Sequence, residues 1–308
     1  MVSQLYSTIQ EEIQALKTQR DAVILAHNYQ SLDVQKVADF VGDSLFLARK
    51  AASLKNQVIV FAGVHFMAES VSILSPDKTV LMPDPNAGCS LASMITADEV
   101  RDWKSKHPDG LVVCYVNTSA EVKAESDYCC TSSNAVAVVN SLPKDRDVLF
   151  IPDFFLGLFA QRKSGRKLHL WPGFCHVHAR ITSESVAKLK KQYPEAELLM
   201  HPECGCLTKS MDLADHILST GGMVDHVKKN TADEYLIATE TGLVDQLQEE
   251  HPDKKFHAVG DRATCEYMKM NNLEKIVNSL EHLTTVIKVP EEIASKARIS
   301  IQRMIEIS

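Results

Sequence analysis

Short apolar runs that end in polar residues recur along this chain of 308 residues. The first is AVILAHNY from Ala22, and related runs are LVVCYVN from Leu111 and ELLMHPE from Glu197. Continuous apolar runs of four to eight residues are typical of strands that are buried on both faces of a parallel sheet. Each run therefore predicts such a strand, with its polar residues at the carboxyl end.

The same succession of elements follows each of these strands. In the first copy a helix-like segment rich in small residues, ADFVGDSLFLARKA, precedes a second apolar strand, VIVFAG, and a second helix, VHFMAESVSIL. A third strand then leads to a cysteine, which is Cys89, Cys175 or Cys265 in the three copies. The pattern predicts a threefold repeat of one βαβαβ unit.

Equivalent positions are evenly spaced, which supports the repeat. The three cysteines are 86 and 90 residues apart, while His27, Tyr115 and His201 at the first strand ends are 88 and 86 residues apart. This period is too long for a solenoid, so each copy is expected to form a small domain with right-handed crossovers. We predict an α/β fold of three homologous three-layer αβα domains with parallel sheets, arranged around a pseudo-threefold axis.

The repeat also predicts the domain boundaries. The N-terminal residues Ile9, Ile13 and Leu16 are spaced like one face of an amphipathic helix, which we assign to the first domain. The expected units in chain order are the first repeat with this helix over 1–92, the second repeat over 93–178, the third repeat over 179–266, and a C-terminal helical segment over 267–308 that packs back on the first repeat.

Charge and hydropathy limit the classes of partner. The 33 Lys and Arg residues against 40 Asp and Glu give a net charge of -7, without a basic run that could neutralise a phosphate backbone. Nucleic acid is therefore not expected as a partner. Membrane association is not expected either, because no apolar run approaches the roughly 20 residues of a membrane span. The N-terminus does not have the pattern of a signal peptide, so we expect a cytoplasmic protein.

The cysteine pattern points to metal binding. The eight cysteines lack the spacing of a disulfide framework and form no CxxC pair. Cys89, Cys175 and Cys265 share one position in the three repeats, which favours a common role. Cys114, Cys129 and Cys130 are interpreted as buried thiols. Cys204 and Cys206 could approach the cavity, and a redox role for them is left open.

Three thiolates around a pseudo-threefold axis suit two kinds of metal centre. They could hold zinc with water in the fourth position. A [4Fe-4S] cluster fits better, because the cubane has its own threefold axis through one iron, and three thiolate ligands leave that iron open to substrate. We expect one such cluster per chain, with one open iron that acts as a Lewis acid.

Polar residues at the strand ends are expected to meet in one cavity, because ligands bind at the carboxyl ends of parallel strands. His201 and Glu203 flank Pro202 on the same side of an extended segment and suit a general acid/base pair. Tyr29 is a candidate proton donor, and His178, close after Cys175, is a further residue that could reach the cavity.

Hydroxyl residues also repeat at a fixed interval. Ser44, Ser132 and Thr220 are 88 residues apart, near the predicted helix starts. Helix capping or packing would explain such residues. We favour anion binding, because a cavity with little Lys or Arg must hold an acidic substrate through hydroxyls and helix N-terminal amides.

Ordered motifs give the chain a family resemblance from about Asp21 to beyond Cys265: AHNYQ, VGDS, YVN, TSSNAV, HPEC and STGGM. The chain resembles the quinolinate synthase A family. The resemblance implies three α/β domains, a three-cysteine [4Fe-4S] cluster, and the condensation of iminoaspartate with dihydroxyacetone phosphate to quinolinate, with loss of phosphate and water, in NAD biosynthesis. Whether an aspartate-oxidising enzyme hands over the imine through a transient contact stays open from the sequence.

The resemblance assigns roles to residues by motif. It implies that the cluster ligands are Cys89, Cys175 and Cys265, and that Tyr29, Glu203 and His201 are catalytic. It implies substrate binding by His27, Ser44, Tyr115, Asn117, Ser132, His201, Glu203 and Thr220. The second cysteine of ECGC, Cys206, departs from some members and inherits no role.

Two other functions remain open from the sequence. A different [4Fe-4S] hydro-lyase could use the same open iron on another hydroxy acid. A non-catalytic iron-sulfur redox sensor is disfavoured, because a sensor does not need Tyr29, His201 and Glu203 in its cluster cavity.

Overall fold

The computed structural model describes residues 2–260 and 262–307. It contains three four-stranded sheets, in which every described strand pair is parallel. The strands are, for the first sheet, β1 Ala22–His27, β2 Phe40–Gly42, β3 Val58–Ala62 and β4 Thr79–Leu81; for the second, β5 Leu111–Tyr115, β6 Tyr128–Cys130, β7 Val148–Ile151 and β8 His169–Leu170; for the third, β9 Glu197–Met200, β10 His216–Ile217, β11 Glu234–Ala238 and β12 Lys255–Ala258.

Helices flank each sheet, which confirms the predicted α/β class with three αβα units. Those of the first unit are α1 Val2–Arg20, α2 Leu32–Val37, α3 Ser44–Ser53 and α4 His65–Leu74. The second unit has α5 Ala97–Lys106, α6 Ala120–Glu125, α7 Ala135–Ser141 and α8 Phe154–Ser164. The third has α9 Ser183–Gln192, α10 Leu207–Ser210, α11 Thr220–Lys229 and α12 Thr241–Glu250, and α13 Leu273–His282 and α14 Glu291–Glu306 follow.

The strand order is the same in all three units, but the number of strands in each sheet differs from the prediction. The orders are β2-β1-β3-β4, β6-β5-β7-β8 and β10-β9-β11-β12. The sequence predicts three strands per unit, whereas each sheet has a fourth, short strand beside its first one. These edge strands have two or three residues, which is too short to produce a detectable hydrophobic period. They lie within the segments that were predicted to be helical.

The first strand of each unit is central and buried, as its apolar sequence requires. All six residues of β1 are buried, and β1 pairs on one side with β2 and on the other with β3. A hydrophobic core continues across all three units. A second core on the outer side of the first sheet contains Ile13 of α1 and Ile276 of α13. Full burial of such a side chain contributes about 1.5–3 kcal/mol.

The two C-terminal helices pack on different units. α13 lies against α1 and β3 of the first unit, where we expected the C-terminal segment. α14 instead lies mainly against α6 and β6 of the second unit. Ser300 in α14 donates a hydrogen bond of 2.8 Å to the carbonyl of Lys123, and Asn134 donates to the carbonyls of Met304 and Ile307. α14 therefore ties the chain end to the second unit, and the predicted domain boundaries remain a prediction.

Polar contacts join the first and third units at their helix starts. Asp43 caps α3 by accepting a hydrogen bond from Phe46 N at 2.9 Å, and its other oxygen accepts from Ser219 Oγ at 3.1 Å. Ser219 in turn caps α11 through Gly222 N. Among the described helices, none is long and apolar enough to cross a membrane.

Candidate active site

One cavity lies where the carboxyl ends of the three sheets meet. Every site residue that the sequence predicted lines this cavity: His27, Tyr29, Ser44, Cys89, Tyr115, Asn117, Ser132, Cys175, His201, Glu203, Thr220 and Cys265. Each unit contributes one cysteine, one hydroxyl residue and two residues from the end of its first strand. The structure thus brings the predicted set together, while the role of each residue remains to be tested.

The first strands of the first and third units end in a common local structure. Nδ1 of His27 accepts a hydrogen bond from Tyr29 N at 3.1 Å, and Nδ1 of His201 accepts from Glu203 N at 3.4 Å. The backbone bond fixes each ring relative to the residue two positions later. It also requires a lone pair on Nδ1, so both rings can carry their proton only on Nε2 when neutral.

Tyr29 belongs to a buried hydrogen-bond network with residues of the other two units. Its hydroxyl lies 2.6 Å from Thr239 Oγ1 and 3.2 Å from His178 Nε2. His178 Nε2 is also 3.1 Å from Thr239 Oγ1. His178, which the sequence left as a candidate, therefore reaches the cavity and contacts the phenol of Tyr29 directly.

Glu203 lies beside the Nδ1 atoms of two stacked histidine rings. Its Oε2 is 3.3 Å from His201 Nδ1 and 3.6 Å from His178 Nδ1, and the two rings stack with centroids 4.8 Å apart. Glu203 Oε1 and His178 Nδ1 are buried without a hydrogen-bond partner among the described residues. Buried polar atoms are normally paired, so these two atoms indicate a place for a ligand.

Burial sets the protonation states in the cavity. Together with the positive charge of Lys269 and the nearby His178, it lowers the pKa of His27 to about 3. Burial also lowers the pKa of His178 to about 3 and that of His201 well below its usual value. It raises the pKa of Glu203 well above the usual range, and the carboxylate of Asp153 raises it further. Burial in the cavity therefore favours the neutral forms of its imidazoles and of the Glu203 carboxyl group.

The three repeat cysteines are half-buried free thiols on the cavity wall. Burial raises the pKa of Cys89 to about 12 and that of Cys265 to about 11, and it raises the pKa of Cys175 well above its usual value. Thiols in such surroundings need a bound cation to become thiolates, which is the form that ligates metals. Sγ of Cys175 and ligand atoms of His178 and Glu203 lie within 4.8 Å of one another, and Cys89 and Cys265 are outside this tight group.

The other five cysteines lie in the hydrophobic core and are absent from the described lining of the cavity. Cys129 donates to Ser300 Oγ at 3.3 Å, and Cys204 donates to the carbonyl of Ala238 at 3.0 Å. Cys206 Sγ is 3.8 Å from the sulfur of Met200. Cys204 and Cys206 approach the third strand end but are turned into the core, consistent with buried thiols.

The hydroxyl residues do not occupy identical positions in their helices. Ser44 and Thr220 are the first residues of α3 and α11, whereas Ser132 lies in a turn three residues before α7. Thr220 Oγ1 accepts a hydrogen bond from Asn28 Nδ2 at 3.0 Å, so Asn28 positions it. All three line the cavity.

The sequence missed polar residues that follow the second strand of a unit. Thr239 contacts Tyr29, and Glu240 lines the cavity beside Cys265. Asp153 occupies the equivalent position behind Cys175. The repeat could have identified these acids, because Asp153 and Glu240 both lie between the second apolar strand of their unit and the helix that follows it. A single acid at a helix start is, however, usually interpreted as a helix cap.

The fold and the cavity together define an α/β enzyme of three repeated domains with one central polar site. The family model described as "Quinolinate synthetase A protein" matches residues 11–306, and the chain belongs to this family. It is 51% identical over 306 residues to "Quinolinate synthase" of Pyrobaculum aerophilum, with 97% of this chain and 100% of the relative covered. It is 52% identical to "Quinolinate synthase 2" of Methanosarcina acetivorans (97% and 96% covered) and to "Quinolinate synthase" of Thermus thermophilus (96% and 96% covered).

Proposed function

We propose that this chain is a quinolinate synthase of NAD biosynthesis, which condenses iminoaspartate with dihydroxyacetone phosphate and releases phosphate and water. Membership of the family supports this activity. The observation that carries the proposal is the convergence of three repeat-equivalent cysteines, Cys89, Cys175 and Cys265, on a cavity that also holds Glu203 and Tyr29.

The donor set fits one [4Fe-4S] cluster per chain. Three free thiols reach the cavity from three separate loops, and an unpaired carboxyl oxygen of Glu203 and Nδ1 of His178 face the same region. Cys89, Cys175 and Cys265 would hold the cluster. A cluster with three thiolate ligands supplies an open iron that acts as a Lewis acid on a substrate hydroxyl or carbonyl oxygen.

Glu203 and Tyr29 are proposed to move protons during the condensation and dehydration. Burial raises the pKa of Glu203, so its carboxyl group is proposed to donate a proton to a leaving hydroxyl and later to accept one. The Tyr29 phenol, held by Thr239 and His178, is a second donor. His201 is neutral and holds Glu203 in place through its Nδ1 atom and the adjacent backbone.

Hydroxyl, amide and imidazole groups are proposed to bind the acidic substrates. Ser44 and Thr220 lie at helix starts, where backbone N–H groups and the helix dipole favour anions. The other proposed substrate-binding residues from the same wall are His27, Tyr115, Asn117 and Ser132. Neutral donors of this kind hold carboxylates and phosphate while leaving the products free to dissociate.

Two related proposals concern the setting of the reaction. A reducing compartment, the cytoplasm, suits eight free thiols and a cluster with an open iron. The unstable imine is proposed to arrive from an aspartate-oxidising enzyme through a transient contact. Neither nucleic acid nor a membrane is proposed as a partner.

Anaerobic purification followed by iron, sulfide and product analysis tests the proposal. We expect about four iron and four sulfide per chain and formation of quinolinate from the two named substrates. A four-iron protein that dehydrates another hydroxy acid but makes no quinolinate would favour a different hydro-lyase. A four-iron protein without any turnover would favour a sensor, and a protein that binds one zinc per chain would overturn the cluster.

A further inference from the structure

The loops that lead to the three cavity cysteines are attached to their units by one shared backbone hydrogen bond. In each unit the donor is the first residue of the helix after the second strand, and the acceptor lies two residues before the cysteine. The bonds are His65 N to Ala87 O at 2.8 Å, Phe154 N to Gly173 O at 2.8 Å, and Thr241 N to Ala263 O at 3.0 Å. These bonds establish which positions are equivalent around the cavity.

A buried carboxylate adds a second attachment in two of the units. In the second unit Asp153 Oδ2 accepts a hydrogen bond from the backbone N–H of Cys175 at 3.3 Å. In the third unit Glu240 Oε1 accepts from the backbone N–H of Cys265 at 3.0 Å. Both acids have no exposed surface. The register of the shared backbone bonds makes Asp153 and Glu240 equivalent residues.

Helix capping explains only half of these contacts. The other oxygen of each acid does cap the following helix, because Asp153 Oδ1 accepts from Leu156 N at 2.7 Å and Glu240 Oε2 accepts from Gly242 N at 2.7 Å. One oxygen is enough for a cap, as the hydroxyl of Thr182 shows at the start of α9. Burying a carboxylate is costly unless its oxygens are satisfied, so the second oxygen indicates a use at the cysteine.

The first unit lacks this second attachment. Its equivalent residue is Val64, which has no polar side chain, so the Cys89 loop has the shared backbone bond from His65 without a carboxylate at this position. The three cysteine loops therefore share the same backbone hydrogen bond, but only the N–H groups of Cys175 and Cys265 also bond to a buried carboxylate at this position.

We propose that Asp153 and Glu240 are positioning residues that fix the backbones of Cys175 and Cys265 for cluster ligation, whereas the equivalent residue of the first unit, Val64, cannot hold the backbone of Cys89 in this way. This inference rests on the proposed function. Groups that orient metal ligands from outside typically change metal retention or activity by about 10- to 100-fold when they are removed.

Glu240 also connects its cysteine to the first unit. Lys269 Nζ lies 3.2 Å from Glu240 Oε1 and donates to the carbonyl of Tyr29. Cys265, Glu240, Lys269 and Tyr29 thus form a continuous chain of contacts. Replacing Glu240 removes a partner of Lys269 as well, so Asp153 gives the cleaner test.

The decisive variant is Asp153→Ser, because serine can still cap α8 through its single oxygen but has no second oxygen for Cys175 N. Thr182→Ala is the matched control, since it removes a helix cap of similar kind that touches no cysteine. Glu240→Ser, which likewise keeps only one oxygen, gives an independent second variant. Each full-length protein is loaded with iron and sulfide anaerobically and mixed with excess iron chelator, below the temperature at which it unfolds.

We expect Asp153→Ser and Glu240→Ser to lose iron about 10- to 100-fold faster than wild type and to change the paramagnetic resonance spectrum of the reduced cluster. Thr182→Ala should match wild type in both measurements. Wild-type rates and spectra in both acid variants would reduce these residues to helix caps and overturn the inference. A wild-type chain that takes up no iron and sulfide would overturn the proposed function, and the inference with it. In wild type, the backbone N–H of Cys89 should exchange with solvent faster than those of Cys175 and Cys265.

Discussion

The cavity wall and the surrounding core use the same residue type, cysteine, in opposite ways. Cys89, Cys175 and Cys265 are half-buried at the ends of long loops, and their sulfurs face a polar cavity. Cys129 and Cys130, by contrast, are fully buried in β6. A thiol in the core acts as a small apolar side chain, whereas a thiol on a loop at a sheet edge is free to become a ligand.

The difference comes from where the repeat places each residue. The cavity cysteines follow the last strand of each unit, at the edge where parallel strands leave their polar ends. Cys129 and Cys130 lie inside a strand, and their position has no cysteine in the other two units. Position in the unit, more than local sequence, separates the proposed ligands from the packing residues.

Removing a cavity cysteine should have the largest effect. Cys89→Ala, Cys175→Ala and Cys265→Ala are each expected to abolish a stable cluster and quinolinate formation, because two thiolates cannot hold a cubane in an accessible cavity. Iron and sulfide analysis of anaerobically purified protein provides the measurement. Cys130→Ala is the control and should retain both the cluster and activity, and a full cluster in Cys175→Ala would contradict the three-ligand proposal.

Changing a proton-transfer group of the cavity should have the next largest effect. Glu203→Gln and Tyr29→Phe each remove one titratable group while keeping the shape of the side chain, so we expect quinolinate formation to slow by about 10²- to 10⁴-fold. Iron content should stay at the wild-type level. Single-turnover measurement with both substrates tests this, and near-wild-type rates in both variants would show that these residues merely line the cavity.

Shortening a core cysteine should act on stability instead of catalysis. Cys130 is fully buried, and its replacement by alanine removes one sulfur atom from a packed strand. We expect the free energy of unfolding to fall by about 1 kcal/mol, in the range for loss of a buried methylene-sized group. Urea unfolding of the wild type and Cys130→Ala under reducing conditions measures this, and an unchanged midpoint would mean that the site collapses without cost.

Lowering the pH should reduce the stability of the folded chain through the buried histidines of the cavity, and not through the core thiols. Burial holds the pKa of His27 at about 3, whereas an unfolded histidine titrates near 6.5. Between these values the unfolded chain binds more protons, so stability falls as the pH falls below about 6.5. We expect His27→Gln to lose about 1 kcal/mol less than wild type between pH 7 and pH 5.5.

Urea unfolding of the cluster-free chain at the two pH values checks this expectation. Cys130→Ala serves as the control here, because a core thiol adds no proton uptake in this range. An equal loss of stability in wild type and His27→Gln would show that the histidine is protonated in the folded chain.

The sequence by itself determined the class of the fold and most of the polar lining of the cavity, but it missed residues such as Glu240 that follow the second strands. Long apolar strands bury both faces of a sheet, and a fixed repeat places each strand end at an equivalent position, so residues as distant as His27 and Glu203 could be assigned to one site. The same reasoning could not find the edge strands such as β10, because two residues carry no period.

Only the tertiary structure decided how these groups act on one another. The stacking of His178 on His201, the burial that raises the pKa of Glu203, and the second oxygen of Asp153 at Cys175 all depend on contacts between separate loops. Desolvation and hydrogen-bond geometry depend on all the neighbours of a group in space, whereas the spacing of residues in the sequence describes only their order along the chain. The repeat therefore predicted which residues meet, and packing set their charges and orientations.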